Sequence, residues 1–364
     1  MESFADKTIV EKTNGDRDRT DDDKKFADVG LIGAGPIGIE MAVALKRAGI
    51  DYLHFDARQI GHTISWFAPQ TKFFSSNERI AIAGVPLATP DQGKCTREQY
   101  LAYLRSIVRQ FDLRIRTYEP VVEIARDREG FAVTTCGSAG ERRYRFRRLI
   151  LATGGTDRPR RLGIPGEDLP HVSHYFQDPH GYFQKNLLIV GGRNSAVEAA
   201  LRSHHCGANV SISYRRPQLE AASIKYWLWP EMNGLIQSQC IRAHFKTRAL
   251  EIKSDHVKLA DDDGKVIDVP ADFVLLLIGY EADMRLFELA SVEFGGASKH
   301  PVFDARTMET NVPNVFVAGT AAGGTQQKYE LFIENCHVHV ERIMAALTGS
   351  APPVKEAVFD RPES

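Results

Sequence analysis

The sequence contains no C-x-x-C pair and only five cysteines, at positions 95, 136, 206, 240 and 336. An odd count spread over 364 residues excludes a disulfide framework. Scattered thiols fit a reduced, cytoplasmic setting. Long apolar runs are also missing. Stretches such as Val274–Ile278 fall far short of the roughly 20 residues a membrane span needs. Charge of one sign is not in excess, because 46 Lys+Arg face 47 Asp+Glu, so no nucleic-acid partner is expected. The start, Met1–Asp6, lacks a basic stretch followed by an apolar one, and no signal peptide is expected. His204-His205-Cys206 and Cys336-His337-x-His339 each lack a second half at zinc spacing, so no metal is expected.

What is present is ample core material, with 43% hydrophobic residues and length for two domains. Residues 1–25 and 350–364 are polar or charged and read as mobile tails. Between them, strand and helix signals alternate, which argues for α/β architecture. Thr96-Arg-Glu-Gln99 matches a capping box and opens a helix over 99–110. A long helix is expected from Tyr329 to about Leu347.

Two strand-turn-helix units lie about 158 residues apart. The first runs from Val29 through Gly33-Ala-Gly35-Pro36-Ile37-Gly38 into an Ala- and Leu-rich helix. In such a turn the first glycine permits the bend, the second lets backbone approach a pyrophosphate, and the third lets helix and strand pack closely. The helix N-terminus offers N–H groups to phosphate. A second strand, Tyr52–Phe55, ends at Asp56, placed to bond a ribose 2′-hydroxyl.

The second unit is looser: Gly191-Gly192-Arg193-Asn194-Ser195-Ala196. Its following strand ends at Arg215-Arg216. An acid there would repel a 2′-phosphate, whereas arginine binds one through charge-assisted hydrogen bonds. This unit therefore reads as an NADPH site. Two dinucleotide sites call for two dinucleotides, and the economical pair is FAD on the first and NADPH on the second. Leu149–Gly155, Leu276–Tyr280 and Asn311–Gly319 are apolar strands ending in small residues, where chain passes a cofactor closely.

Together these segments resemble flavoprotein disulfide reductases of the low-molecular-weight thioredoxin reductase type, within the pyridine nucleotide-disulfide oxidoreductases. The closer resemblance is to the bacillithiol-disulfide reductase group, which lacks C-x-x-C. It rests on Gln70–Ser76, His174–Phe176, Gly191–Val197, Ser223–Lys225 with Trp229–Glu231, Met308–Asn311 and Phe332–Asn335. The resemblance implies two Rossmann-like dinucleotide-binding domains, the NADPH domain (161–284) inserted into a split FAD domain (26–160 and 285–349). It implies Gly33, Gly35, Pro36, Ile37, Gly38, Asp56, Val122, Ala152, Thr153, Gly154, Gly319 and Thr320 around FAD. It implies Gly191, Gly192, Arg193, Asn194, Ser195, Ala196, Arg215, Arg216 and Gly279 around NADPH. A homodimer or higher homo-oligomer and a small-molecule disulfide or redox-protein acceptor follow from it. The lobes would swivel about linkers near 158–162 and 281–286.

One departure matters. The group's cysteine just before the last glycine of the first turn is Ile37 here, and isoleucine forms no mixed disulfide. Cys336, beside His337 on the expected C-terminal helix, is the candidate substitute, with Cys95 behind it. Thr320 also replaces an Asp of thioredoxin reductases. The expected function is an NADPH-dependent FAD oxidoreductase. One alternative is a flavin monooxygenase, from the partial match of Ile164-Pro-Gly166, His171 and Tyr175 to that family's F-x-G-x-x-x-H-x-x-x-Y. The other is a non-catalytic sensor of both nucleotides, motivated by Ile37.

Overall fold

The computed structural model describes residues 24–326 and 330–351. The expected tails lie almost wholly outside these residues, as does Tyr329.

Strand β1 (Phe26–Ile32) is apolar along most of its length and sits inside a sheet, parallel to β2 (Tyr52–Phe55) on one side and β6 (Gly140–Leu151) on the other. Strand β3 (Ile115–Arg116) extends the sheet beyond β2, and Val315–Val317 pairs in parallel with the last residues of β6. The first half of β6 instead carries an antiparallel pair, β5 (Gly130–Gly137) and β4 (Val121–Asp127). Helix α1 (Pro36–Arg47) starts on Pro36, whose fixed φ suits the first helical turn. It buries Ile37, Ile39, Met41, Val43 and Leu45. Helix α2 (Arg97–Gln110) begins at the expected capping box: the Thr96 hydroxyl accepts from Gln99 N, and Gln99 Oε1 accepts from Thr96 N.

One core takes residues 27–152 and again 282–343. The intervening chain builds a second parallel sheet in the order 242–245, 209–214, 186–190, 273–276, 172–173. Helix Asn194–His205 covers one face of this sheet through Ala196, Val197, Ala200 and Leu201. An antiparallel meander of Thr247–Ile252, His256–Asp261 and Val266–Pro270 covers the other, bringing Val257, Leu259 and Val269 onto Leu188 and Val274. A two-stranded antiparallel ribbon, Arg158–Pro159 with Tyr280–Glu281, joins the two halves.

The C-terminal helix corrects the sequence reading. It runs only from His337 to Thr348, after a 3-10 turn at Ile333–Asn335. Asn335 is the reason. Its Oδ1 accepts from Phe332 N at 2.8 Å and its Nδ2 donates to the Glu330 carbonyl at 2.6 Å, so its amide closes a turn where a helix would need continuous backbone bonds.

Candidate functional site

Both glycine turns open onto one cleft of about 3020 Å³. At the first turn, Gly33 has φ +107°, and a Cβ there would lie 2.3 Å from the Ala152 carbonyl oxygen. A Cβ on Gly38 would lie 1.9 Å from the Gly33 carbonyl oxygen. These two glycines lock helix α1 against the β1–β6 pair. Gly35 differs: a Cβ there meets nothing within 4 Å, so its backbone faces open cleft. The two packed glycines and the open one thus stand in different surroundings.

Asp56 ends β2 and accepts from Ala34 N (2.6 Å) and Arg58 N (2.7 Å). Burial raises its carboxyl pKa, against the lowering effect of those two N–H groups. Val122, Ala152, Thr153, Gly154 and Thr320 line the same part of the cleft, with Gly33, Gly35 and Pro36. Thr153 Oγ1 is buried with no hydrogen-bond partner among the described residues. Thr320 Oγ1 accepts from Gly155 N at 2.9 Å, which gives this threonine a structural bond. Ile37, Gly38 and Gly319 stand just behind the lining, and a Cβ on Gly319 would touch Ile37 Cβ at 3.3 Å.

Two buried histidines back this turn. His54 Nε2 donates to the Gly33 carbonyl at 2.9 Å, and burial pushes its pKa down to about 4. His339 Nδ1 accepts from Gly319 N at 3.2 Å, and burial again lowers the pKa to about 4. Sequence reading missed both, because a histidine in a strand or helix carries no spacing signal.

At the second turn, Gly191 has φ +146°, and a Cβ there would lie 2.4 Å from the Leu277 carbonyl oxygen. A Cβ on Gly192 would enter the Tyr214 ring. Gly191, Gly192, Arg193, Asn194, Ser195, Arg215, Arg216 and Gly279 all line the cleft, while Ala196 is buried behind Gly191. Arg215 is exposed, and Arg216 is ion-paired with Glu220.

Neither candidate thiol, Cys336 or Cys95, lines the cleft. Cys336 caps the C-terminal helix instead of lying on it, and it is fully buried. Burial, then Glu334 and Glu40, push its pKa far above the ordinary thiol value. Cys95 is also fully buried, and burial takes it up to about 12. A reactive thiolate needs the opposite shift. Among the described residues lining the cleft there is no cysteine.

Other lining residues come from distant segments and were not legible as a set. Trp66, Tyr175 and Tyr280 form a wall, with ring centroids 5.6 Å (Trp66–Tyr175) and 6.0 Å (Tyr175–Tyr280) apart. Trp66 Nε1 donates to His62 Nε2 at 3.1 Å. Of the monooxygenase-like positions Ile164, Gly166, His171 and Tyr175, Ile164 and Tyr175 reach the cleft. His171 Nε2 bonds the Lys253 carbonyl, and Gly166 packs against the Ile252 carbonyl. Gly166 and His171 are therefore accounted for by packing.

Comparison with known proteins gives the family. The family model described as pyridine nucleotide-disulphide oxidoreductase matches residues 31–319. Bacilliredoxin reductase Bdr of Bacillus subtilis is 35% identical over 318 residues, which is 87% of this chain and 96% of that protein. The solved bacillithiol disulfide reductase Bdr of Bacillus cereus superposes with a TM-score of 0.84 at 33% identity, covering 89% of this chain and 99% of that one. A ferredoxin–NADP reductase of Ignicoccus hospitalis is 27% identical over 299 residues, 79% of this chain and 88% of its own length. The enzyme reading therefore stands over the sensor reading, and the fold is that of two dinucleotide-binding units. The chain belongs to the pyridine nucleotide-disulphide oxidoreductase family and is an oxidoreductase working with a flavin and a nicotinamide nucleotide.

Proposed function

We propose that this protein holds FAD on its first glycine turn and NADPH on its second, and delivers reducing equivalents to a small-molecule disulfide or a redox protein. The observation that carries this reading is the single cleft lined by both turns. FAD, when bound, supplies hydride acceptance at its ring and electron release to an acceptor, chemistry that no side chain here offers.

The residues fit those roles. Gly33 and Gly38 fix the start of α1, so that its free N–H groups and dipole face a diphosphate next to Gly35, Pro36 and Ile37. Asp56 meets a ribose with a carboxylate already oriented by two N–H groups. The orphaned Thr153 hydroxyl, with Val122, Ala152, Gly154, Gly319 and Thr320, gives the rest of the flavin path a polar contact and small walls. On the second turn, Gly191 to Ala196 and Gly279 pass a pyrophosphate closely, and Arg215 with Arg216 meets a 2′-phosphate. We assign 26–160 with 285–349 to the flavin module and 161–284 to the NADPH module. We further propose a cytoplasmic homodimer, a closed two-fold pair being the commonest assembly. Among the described residues no helix is long and apolar enough to cross a membrane.

A second reading of the acceptor has its own support. With Ile37 at the thiol position and no cysteine on the cleft, a mixed disulfide with this chain has no partner there. A redox protein taking electrons directly from flavin needs none.

The test is an anaerobic titration of the yellow protein with NADPH, followed by addition of bacillithiol disulfide or a reducible ferredoxin. Bleaching by NADPH, far faster than by NADH, and return of colour with either acceptor is the expected result. Protein that takes up no FAD on reconstitution overturns the reading.

A further inference from the structure

We propose that Glu198, Arg202 and Lys225 are positioning residues that clamp the NADPH module onto a strap of the flavin module, and so set the approach of the two nucleotides. This rests on the functional reading above.

The strap is the segment from Ser65 to Lys72. It is fixed to the start of α2: Arg97 Nη1 donates to the Ser65 carbonyl (3.2 Å) and the Phe67 carbonyl (2.7 Å), and Arg97 N donates to the Thr71 carbonyl (2.9 Å). The Glu98 carboxylate accepts from Gln70 N. Yet Ala68, in the middle of the strap, packs in the apolar core of the other module. Two cations of that module reach the strap's backbone. Lys225 Nζ donates to the Lys72 carbonyl at 3.0 Å, and Arg202 Nη2 donates to the Pro69 carbonyl at 2.6 Å. Glu198 stands between them, 2.9 Å from Lys225 Nζ and 3.8 Å from Arg202 Nη1.

The charges are largely out of water, with side chains 9% exposed at Lys225 and 14% at Glu198. Buried charge persists only when paired and hydrogen-bonded, and here the remaining donors go to the strap. The clamp is also tied to the second glycine turn, because Asn194 Oδ1 accepts from Lys225 N at 2.6 Å. Elsewhere the modules are joined by the narrow ribbon of Arg158–Pro159 and Tyr280–Glu281 and by aromatic contacts, Phe74 stacked on Trp227 and Trp66 against Tyr175 and Tyr280, which carry no charged bond to the strap's backbone. Hydride transfer tolerates little misplacement, so a directional, hydrogen-bonded attachment at the strap sets how often the nucleotides meet.

The test uses the FAD-loaded full chain with R202M/K225M, the single variant E198Q, and the charge-conserving K225R. Small-angle scattering is expected to show a larger radius of gyration for the double variant. Stopped-flow bleaching by NADPH is expected to show a limiting rate lowered about tenfold, with the NADPH Kd changed less than about threefold. K225R should restore most of the rate, and bleaching by dithionite should not change. Unchanged scattering with an unchanged limiting rate overturns the proposal, as does a loss confined to Kd. Should the double variant not fold, E198Q carries the same two readouts. Wild-type protein that NADPH does not bleach sinks the functional reading instead, and the scattering then decides the clamp alone.

Discussion

The two glycine turns share a backbone and differ in what surrounds it. Gly33 and Gly191 both adopt positive φ, and each has a neighbouring strand's carbonyl where a Cβ would go. At the first turn the strand-end residue is Asp56, half-buried and held by two N–H groups, with the buried His54 and His339 bonded behind it. At the second turn the strand-end residues are Arg215, exposed, and Arg216, paired with Glu220 on the surface. The first turn is thus a buried, preorganised cradle that suits a resident cofactor. The second is an exposed, positively charged rim that suits a nucleotide that enters and leaves. The same local motif is given two different surroundings by its flanking side chains.

The largest break in this comparison comes from the turns themselves. Gly33→Ala forces a Cβ into the Ala152 carbonyl and strains φ, so the protein should lose its flavin and much of its stability, read as absorbance at the flavin band and as Tm. Gly191→Ala should strain its turn as well, yet leave a yellow protein that NADPH no longer bleaches. Gly35→Ala sharpens the point. Its Cβ meets no protein atom, so Tm of the flavin-free protein should hold while flavin affinity falls.

Next in size are the arginines. R215A/R216A should raise the NADPH Kd by about 10- to 100-fold, on the order of 1.5–3 kcal/mol, for the loss of hydrogen bonds to a charged group. NADH binding and flavin content should stay as they were.

Acid offers a smaller test. Burial holds His54 and His339 at about 4, below their ordinary 6.5. A base whose folded pKa is depressed contributes stability fully present above 6.5 and lost as pH falls toward 4, because the unfolded chain takes the proton first. Flavin retention and Tm should therefore drop across that window, and H54N should flatten the drop.

Much of this layout was legible in the sequence, because glycine turns, a capping box and strand-end charges act locally. Gly33, Gly38 and Gly191 have the close backbone contacts, and Thr96–Gln99 forms the cap, that local chain geometry requires. The C-terminal helix was misjudged at its start because Asn335 diverts backbone bonds into a turn, an effect that apolar periodicity does not carry. Cys336 was placed on a helix and proved to be a buried cap. The aromatic wall of Trp66, Tyr175 and Tyr280, and the clamp of Glu198, Arg202 and Lys225, were not legible as groups. The wall's members come from separate segments, and in the clamp only Glu198 and Arg202 share a helix turn; the fold alone brings Lys225 and the strap to them.

The measurement that bears most directly on the difference between the turns is calorimetric binding of adenosine 2′,5′-bisphosphate and of adenosine 5′-monophosphate to the FAD-loaded protein. The expected result is clear preference for the 2′-phosphorylated probe, competition with NADPH, and loss of that preference in R215A/R216A. Equal affinity for the two probes, or a preference that survives the double substitution, would contradict the assignment of the second turn to a 2′-phosphorylated nucleotide.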